Sequence, residues 1–396
     1  MMRKVRRTIC LLTAMLCALG LYPVRAEAVE LPITSRAALL MERSTGQVLF
    51  AQNEHEQLEP ASVTKIMTLL LTMEAIDSGT IGYDDVVTVS AAAAGMGGSQ
   101  VYLAEGEQIT VEELLKSVCV ASGNDAAVAL AEKVAGVHEL FVEQMNRRAS
   151  ELGMADTHFV NCTGLTAEGH VTSAHDIALM SRELLLHHPD IRRFTTIWMD
   201  TIRDGAFQLA NTNKLIRFYS GATGLKTGFT SGAGYCLSAS AMRDGMELVA
   251  VVMGAETSQS RNAACKSLLD YGFANFAVVS PDLSDCDNQI PVRLGKDAGV
   301  SAVPEADMAL LIDKAQKSGV TSEVTLEPTV TAPVSRGQRL GTLTVKSGDL
   351  VLKEVPLVAA QEVERLSYGE IYRMVLMRAA MAKADAPEAA KIPEKM

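Results

Sequence analysis

The chain has 396 residues and a mean hydropathy of +0.15, and this length is sufficient for two domains with a sizeable core. Its formal net charge of −11 and sequence pI of about 5.2 make nucleic acid a poor partner, because binding a phosphate backbone needs a basic surface. We therefore expect no nucleic-acid binding.

Residues 1–28 have the pattern of a secretory signal. Four basic residues precede an apolar run at residues 9–21 that is too short to remain as a membrane-spanning helix, and the small-x-small sequence AEA precedes Val29. Cleavage there would remove five basic residues and one acidic residue and change the net charge from −11 to −15. We therefore expect an exported, acidic mature protein.

Five cysteines remain after this cleavage: Cys119, Cys162, Cys236, Cys265 and Cys286. Their number is odd and no two of them have the CxxC spacing. The pattern indicates neither a disulfide framework nor a zinc site. We expect them to be small apolar residues of the core, and we expect no metal.

The first half of the chain predicts a hairpin followed by helices. Two apolar runs flank the turn sequence STG within residues 36–51. Residues 61–78 have helical spacing, with a proline before them and a glycine after them. A glycine-containing loop follows at residues 91–103. Residues 110–136 predict one helix, which begins at a capping box formed by Thr110 and Glu113.

The remaining elements of the first 280 residues are two helices, three strands and a final helix. They are predicted at residues 138–152, 173–187, 224–230, 234–243, 247–255 and 260–276. Strands therefore begin and end this part of the chain, with helices between them. The simplest arrangement is an antiparallel sheet made from both ends and flanked by helices, which is an α+β fold.

The composition changes after about residue 282. Short alternating stretches separated by Gly, Pro and Asp predict a small β-rich domain. The sequence SYGEIYRMVLMRAAMAK then has apolar residues at helical spacing and basic residues on the other side. Such a helix can lie in a membrane interface, and the alternative is that it packs back on the second domain.

Ser62 and Lys65 lie one helical turn apart, so their side chains can meet on one face. A serine hydroxyl is a weak nucleophile unless a base takes its proton. An amine buried among apolar residues loses part of its preference for the charged form, so Lys65 could be that base. The SxxK spacing alone is common by chance and does not identify a site.

Two further motifs make the SxxK spacing specific. The sequence SGN contains Ser122 and Asn124, and the sequence KTG places Lys226, Thr227 and Gly228 on a predicted strand. Gly228 has no side chain, so a substrate backbone could lie close to that strand. The order SxxK, SxN, KTG is typical of penicillin-binding proteins and class A β-lactamases.

With these motifs the chain resembles the low-molecular-mass penicillin-binding proteins, which are serine-type D-alanyl-D-alanine carboxypeptidases. The resemblance extends over residues 31–383 and includes the sequences PASVTKIMT, GGSQVYL, ASGNDAAVALAE, NCTGL and ATGLKTGFTSGAGYCLSASA. It implies a β-lactamase/transpeptidase-like domain, a small β-rich domain, an amphipathic C-terminal helix and no cofactor. The implied domains are a signal peptide (1–28), the peptidase domain (29–282), the β-rich domain (283–362), the amphipathic helix (363–384) and a disordered tail (385–396).

The resemblance also implies roles for individual residues. Ser62 would attack the carbonyl between the two terminal D-alanines of a peptidoglycan stem peptide, and Lys65 would take its proton and later activate water. Ser122 would relay a proton to the leaving amine. The implied substrate-binding residues are Asn124, Lys226, Thr227, Gly228, Phe229 and Arg261.

Within this set the resemblance distinguishes three tasks. Asn124 would hold a backbone amide of the substrate. Lys226, Thr227 and Arg261 would bind the terminal carboxylate. The backbone N–H groups of Ser62 and Phe229 would stabilise the oxyanion.

The implied partners are stem peptides ending in D-Ala-D-Ala, β-lactam antibiotics as covalent inhibitors, and a membrane surface contacted by residues 365–383. The implied location is the outer face of the bacterial cytoplasmic membrane. Two alternatives stay open. A β-lactamase shares the three motifs, although the SGN form and the long C-terminal extension favour the carboxypeptidase. A non-catalytic, membrane-attached wall-binding scaffold is the other.

Three other features are given structural interpretations. His187 and His188 are adjacent and point in different directions on a helix, so they are a poor metal pair. His170 and His175 are interpreted as structural or as shaping the edge of the site. The GMGG loop lacks the lysine and helix start of a phosphate-binding loop.

Overall fold

The structure is a computed structural model, and it describes residues 31–281, 288–306 and 308–384. The predicted signal segment, the predicted tail at 385–396 and Cys286 lie outside the described residues. The side chains of the last helix are described as far as Met377.

The described strands are β1 (Ala37–Glu42), β2 (Val48–Gln52), β3 (Val86–Thr88), β4 (Gln108–Thr110), β5 (Met199–Ile202), β6 (Phe207–Ala210), β7 (Ala222–Thr230), β8 (Gly234–Arg243), β9 (Met246–Ala255), β10 (Phe276–Val279), β11 (Gln289–Arg293), β12 (Gly299–Pro304), β13 (Leu310–Asp313), β14 (Val320–Leu326), β15 (Val330–Thr331), β16 (Arg339–Ser347) and β17 (Leu350–Ala359). The described α-helices are α1 (Lys65–Asp77), α2 (Ala91–Ala94), α3 (Val111–Lys116), α4 (Asn124–Ala135), α5 (His138–Glu151), α6 (Ala174–His187), α7 (Arg192–Thr195), α8 (Leu215–Phe218), α9 (Ser258–Asn275) and α10 (Tyr368–Ala384).

The first domain is built on an antiparallel sheet with the strand order β2-β1-β9-β8-β7. Its first two strands come from the start of the domain and the other three from the end, as the sequence predicts. Helices α6 and α9 both pack on strand β9. Because all of β1 and nearly all of β9 are buried, helices must cover the sheet on both faces. The predicted α+β fold class is confirmed.

The predicted single helix at 110–136 is wrong in its middle. Helix α3 begins at Thr110, whose hydroxyl accepts from the backbone N–H of Glu113. The helix then widens into a π-turn at Ser117–Ala121 and ends at Ser122, which has a left-handed φ of 65°. An L-residue in this conformation cannot continue a right-handed helix, and α4 begins at Asn124 as a separate element.

The sequence analysis assigned no elements to residues 188–223, and the structure places a hairpin there. Strands β5 and β6 pair from Met199↔Ala210 to Ile202↔Phe207. Each strand has only four residues, so a period-2 pattern is too short to detect. The chain from β6 continues through Thr212 to helix α8 and then to the edge strand β7.

The β-rich second domain is confirmed. Its six-stranded sheet has the order β14-β16-β17-β12-β11-β15, and it encloses a separate core that includes Val300, Leu343 and Val363. Strand β10, which follows α9, pairs antiparallel with β13.

Helix α10 begins at Tyr368 rather than at residue 363. The reason is that Val363 is buried in the second core and pairs with Val334 instead. Tyr368, Tyr372 and Val375 are 92%, 68% and 60% exposed, so this apolar surface does not pack back on the protein over its described residues. Within the described ranges, we find no helix of the length and apolarity that crossing a bilayer requires.

Four of the five predicted mature cysteines are described, and all four are buried and unpaired: Cys119, Cys162, Cys236 and Cys265. Burial raises the pKa of the Cys119, Cys162 and Cys265 thiols to about 12. The prediction of small core residues is confirmed for these four.

Candidate active site

Ser62 and Lys65 are brought together by the start of the first helix. Ser62 lies in a 3₁₀ turn at Ala61–Thr64 that leads directly into α1. The Nζ atom of Lys65 lies 2.8 Å from Ser62 Oγ. It also lies 2.6 Å from Asn124 Oδ1 and 2.8 Å from the carbonyl oxygen of Thr163. The predicted pair is therefore in hydrogen-bond contact.

The Lys65 side chain is fully buried. Its pKa is well below the ordinary value, first because burial penalises the ammonium and second because Lys226 is a nearby like charge. A neutral amine has two N–H groups and one lone pair. The two N–H groups suit the two pure acceptors, Asn124 Oδ1 and the Thr163 carbonyl, and the lone pair is then left for the Ser62 hydroxyl.

Two glycines allow the nucleophile turn to pack tightly. A Cβ on Gly228 would lie 2.8 Å from the carbonyl oxygen of Pro60 and 3.2 Å from Ser62 N, and a Cβ on Gly164 would lie 1.8 Å from the carbonyl oxygen of Ala61. We predicted that Gly228 makes room for a substrate. The structure shows an additional reason for a glycine at this position, because it lets β7 approach the turn that carries Ser62.

The second motif is held between the nucleophile helix and the loop that precedes it. Asn124 accepts from Lys65 through Oδ1 and donates through Nδ2 to the carbonyl of Gly97 at 2.6 Å. Its backbone N–H donates to the carbonyl of Ser99 at 2.7 Å. Both polar groups of the Asn124 side chain thus bind within the protein, while Ser122 faces the cleft.

Asp125 is a site residue that the sequence analysis missed. Its carboxylate is buried and accepts the backbone N–H groups of Val101 and Leu103, each at 3.0 Å. It therefore fixes the loop that contains Ser99 against the start of α4. The only signal in the sequence was an acidic residue directly after Asn124, in the first turn of an apolar helix.

Lys226 lies on β7 and is buried behind the cleft, at 1% exposure. Its Nζ donates to the carbonyl of Thr227 at 3.1 Å. Burial lowers the pKa of Lys226 to about 7. The amine can therefore carry or lose its charge close to neutral pH.

These elements surround a cleft of about 270 Å³. Its lining residues are Ser62, Ser99, Ser122, Thr212, Thr227, Gly228, Phe229, Tyr235 and Arg261. Six of the nine predicted site residues line it, and the other three, Lys65, Asn124 and Lys226, are buried behind it. The cleft thus presents hydroxyl groups, with two amines beneath them.

The cleft contains further residues that the motifs did not indicate. Thr227 Oγ1 donates to Thr212 Oγ1 at 2.7 Å, so the predicted strand and the unassigned hairpin segment share a hydrogen bond. Arg261 is 5% exposed, and its guanidinium carbon lies 5.9 Å from the ring centroid of Tyr235. Ser99 and Tyr235 lie in segments that carry the family resemblance but were assigned no role there, and no signal in the sequence pointed to Thr212.

His170 is a buried structural residue, as expected. Its Nδ1 accepts from the backbone N–H of Val160 at 3.0 Å, and its Nε2 lies 2.8 Å from Thr64 Oγ1. Burial lowers the pKa of His170 to about 4. The ring is therefore neutral, carries its proton on Nε2 and supports the residue directly before Lys65.

The adjacent pair His187 and His188 contacts different carboxylates. His188 Nδ1 lies 2.5 Å from Asp77 Oδ2, and His187 Nε2 lies 3.7 Å from Glu183 Oε2. The two rings thus point in different directions, which agrees with the interpretation that they are not a metal pair.

Two other surface depressions, of about 250 and 330 Å³, lie elsewhere and contain none of the motif residues. One borders Arg243 and Lys317, and the other borders Arg148 and Glu151. Neither contains a nucleophile beside a buried base, so the cleft at Ser62 is the candidate active site.

Two family descriptions match the chain. One is "D-alanyl-D-alanine carboxypeptidase", which matches residues 24–257, and the other is "Penicillin-binding protein 5, C-terminal domain", which matches residues 283–365. The D-alanyl-D-alanine carboxypeptidase DacF of Bacillus subtilis (strain 168) is 43% identical over 344 residues, which cover 86% of this chain and 88% of the relative. DacD of Escherichia coli (strain K12) is 36% identical over 347 residues, which cover 82% of this chain and 86% of the relative.

Solved structures of penicillin-binding proteins have the same fold as this chain. Penicillin-binding protein 5 from Haemophilus influenzae superposes with a TM-score of 0.72 at 30% identity and covers 85% of this chain and 99% of its own. Penicillin-binding protein D2 from Listeria monocytogenes, in an ampicillin-bound form, has a TM-score of 0.57 at 31% identity over 62% of this chain and 100% of its own. The chain therefore belongs to the D-alanyl-D-alanine carboxypeptidase family and carries the C-terminal domain of penicillin-binding protein 5.

Proposed function

We propose that this protein removes the terminal D-alanine from peptidoglycan stem peptides through an acyl-enzyme on Ser62. The observation that carries the proposal is the 2.8 Å contact between Ser62 Oγ and the fully buried amine of Lys65. A serine becomes an effective nucleophile when an adjacent base accepts its proton. Because burial lowers the pKa of Lys65, its amine can accept that proton.

In the acylation step, Ser62 Oγ forms a bond to the carbonyl carbon of the penultimate D-alanine, and its proton moves to Lys65 Nζ. The C–N bond to the terminal D-alanine then breaks. The leaving amine takes up the proton of the Ser122 hydroxyl, which faces the same cleft, and the proton held by Lys65 replaces it, so that Lys65 is neutral again. A water molecule next attacks the ester carbonyl and gives a proton to Lys65, the C–O bond to Ser62 breaks, and Lys65 returns the proton to Ser62 Oγ.

The oxyanion that forms at the carbonyl needs two donors. The backbone N–H groups of Ser62 and Phe229 suit this role, because Gly228 holds β7 against the nucleophile turn. Strand β7 is also the edge of its sheet, so its outer side is free of a neighbouring strand among the described residues. Removing one such donor typically costs about 3 to 4 kcal/mol of barrier.

The terminal carboxylate of the substrate would be bound by Thr227, Lys226 and Arg261. Thr227 and Arg261 line the cleft, and Lys226 lies directly behind it. Asn124 would hold a substrate amide through the capacity that remains after its bonds to Lys65 and Gly97. Because Lys226 and Arg261 would bind the carboxylate at the end of the substrate, the enzyme would cleave only next to a free carboxyl terminus.

The test is mass spectrometry of a pentapeptide ending in D-Ala-D-Ala after incubation with the protein. We expect the loss of one alanine with the wild type and no loss with Ser62→Ala. A folded wild type that leaves the peptide intact would contradict the proposal and favour the non-catalytic scaffold.

The same chemistry makes β-lactams covalent inhibitors, since ring opening leaves the acyl group on Ser62. The match to an ampicillin-bound relative supports this. We expect a fluorescent penicillin to label the wild type with a long-lived ester and Ser62→Ala not at all. Rapid hydrolysis of the label would instead indicate a β-lactamase.

We further propose that the protein is exported and held on the outer face of the cytoplasmic membrane by residues 365–383. The exposed apolar side chains of α10, among them Tyr372, Val375 and Leu376, support this. A helix with one apolar face and flanking cations can lie in the interface without crossing the bilayer.

A further inference from the structure

Tyr102 combines exposure with an unusual backbone conformation. Its side chain is 73% exposed, whereas its neighbours Val101 and Leu103 are 0% and 4% exposed. Its φ is 57°, in the left-handed region that large L-residues rarely adopt. Such residues persist only where the surrounding structure holds them, and they concentrate at ligand-contacting sites.

The backbone on both sides of Tyr102 is fixed by two buried or half-buried ionic side chains. Asp125 accepts from the N–H groups of Val101 and Leu103, each at 3.0 Å. From the opposite side, Arg203 donates to the carbonyl groups of Val101 and Tyr102 at 3.0 and 3.1 Å. Four hydrogen bonds therefore maintain a conformation that presents one aromatic ring to solvent.

Tyr102 lies near the active-site cleft, although it is not one of the lining residues. Ser99, three residues earlier, lines the cleft, so the two Cα atoms are at most about 11 Å apart. The Tyr102 ring meets the ring of Phe207 edge-on, with centroids 6.3 Å apart. Phe207 begins strand β6, whose chain continues to Thr212, another residue of the cleft wall. The two chain segments that contain the cleft residues Ser99 and Thr212 thus also contain the two aromatic residues of this pair, Tyr102 and Phe207.

The size of the cleft decides which part of a substrate reaches this pair. Its 270 Å³ is slightly smaller than typical ligand pockets of about 300–1,000 Å³, so under the proposed function it would enclose only the reacting end of the peptide. In the proposed reaction the leaving group is a single D-alanine. Only the amino-side part of the stem peptide is long enough to extend beyond the cleft.

We propose that Tyr102, supported by Phe207, is a specificity-determining residue that binds the stem peptide on the amino side of the scissile bond. The inference rests on the proposed carboxypeptidase function. The flat apolar face of the ring would pack against the methylene groups of the peptide chain, and this adds contact area at a low cost in side-chain entropy. Substrates confined to the cleft would not gain this contact.

The experiment compares kcat and KM of Tyr102→Ala for two substrates, a stem pentapeptide and N-acetyl-D-alanyl-D-alanine, together with the rate of acylation by penicillin G. We expect KM for the pentapeptide to rise at least about fivefold with kcat within twofold. The values for the short substrate and for penicillin should be unchanged. Tyr102→Phe, which keeps the ring, should restore the wild-type KM. As a control, Tyr368→Ala removes another exposed tyrosine far along the chain.

If Tyr102→Ala lowered kcat/KM for both peptides and the rate of acylation by penicillin G by the same factor, the inference would be overturned. That result would mean that the ring only positions the loop at Ser99. Unchanged kinetics on the pentapeptide would overturn it as well. A wild-type protein that cleaves neither peptide would instead refute the proposed function itself, so the two failures can be distinguished.

Discussion

At Lys65, burial and hydrogen bonding act in opposite directions. The oxygen atoms of Ser62, Asn124 and Thr163 around Nζ favour the ammonium, but complete removal from water disfavours it. Desolvation is the larger effect here. The pKa of Lys65 therefore lies well below that of an exposed lysine, and its amine loses its proton more readily.

Replacing this lysine with a residue that cannot lose its proton tests that balance. Lys65→Arg retains a positive charge, and we expect the rate of acylation by penicillin to fall by about 10²–10⁴-fold, the range of a lost general base. Stopped-flow labelling would measure it, with the exposed Lys266→Arg as the matched control. A Lys65→Arg rate within tenfold of the wild type would exclude Lys65 as the base.

Lys226 should determine the alkaline side of the pH profile. Its pKa of about 7 in the free enzyme means that the cation proposed to bind the substrate carboxylate is lost as pH rises through 7. We expect kcat/KM for a peptide to decline above about pH 7. Lys226→Arg, which stays charged, should move the decline to higher pH, and an identical profile in that variant would show that another group titrates.

His170 should make the fold sensitive to acid. Its pKa is about 4 when folded, against 6.5 for an ordinary histidine, so between these values the unfolded chain binds more protons. The contribution of His170 to the free energy of unfolding is therefore complete above about pH 6.5. It decreases as pH falls toward 4, by about 3 kcal/mol in total. Urea unfolding at a series of pH values would measure the slope. His170→Gln should be less stable at neutral pH but should show a shallower decrease, and equal slopes would refute the assignment.

At the scale of elements, the active site depends on the close approach of β7 to the turn at Ala61–Thr64. Asn124 and Thr163 bring two more segments to the same amine. The pairing of Ser62 with Lys65 was predictable because it is local, three residues apart on one turn. The contacts of Asn124 and Thr163 join residues 59 and 98 positions away in the chain, and no local pattern encodes such distances.

The packing of β7 gives an element-scale prediction. In Gly228→Ala the new Cβ would meet the carbonyl oxygen of Pro60 at 2.8 Å, so the strand must move away from the nucleophile turn. A displaced oxyanion donor typically costs about 10²–10³ in rate, and we expect penicillin acylation to fall by that amount. Gly369→Ala, where nothing lies within 4 Å of the added Cβ, is the control. Acylation at the wild-type rate in Gly228→Ala would mean that the strand adjusts without cost.

At the scale of the whole molecule, the order of the domains along the chain was predictable from composition, because proline is more frequent in the second domain and its apolar residues alternate in short stretches without helical spacing. The break at Ser122 and the hairpin β5–β6 were not readable. At Ser122 the backbone is left-handed although the sequence has helical periodicity. The strands of the hairpin have only four residues each, which is too short for a detectable alternation. Long-range packing decides both.

The placement of α10 leads to a prediction about location. Deleting residues 365–396 removes helix α10 but leaves the catalytic cleft, the five-stranded sheet of the first domain and the six-stranded sheet of the second domain. We expect the truncated protein to cleave a short peptide at the wild-type rate and to remain in the supernatant after centrifugation with anionic vesicles. The full chain should sediment with them. A truncated form that still sediments would place the membrane contact elsewhere.

The dependence of Lys65 on two distant partners, Asn124 and Thr163, has one more consequence. In an unfolded chain this lysine is hydrated and protonated like any other, and Ser62 has no base beside it. The polypeptide is therefore chemically silent until its tertiary structure closes around the amine. Folding therefore assembles the nucleophile and its base in one step, and any treatment that unfolds this domain separates the amine from Asn124 and Thr163.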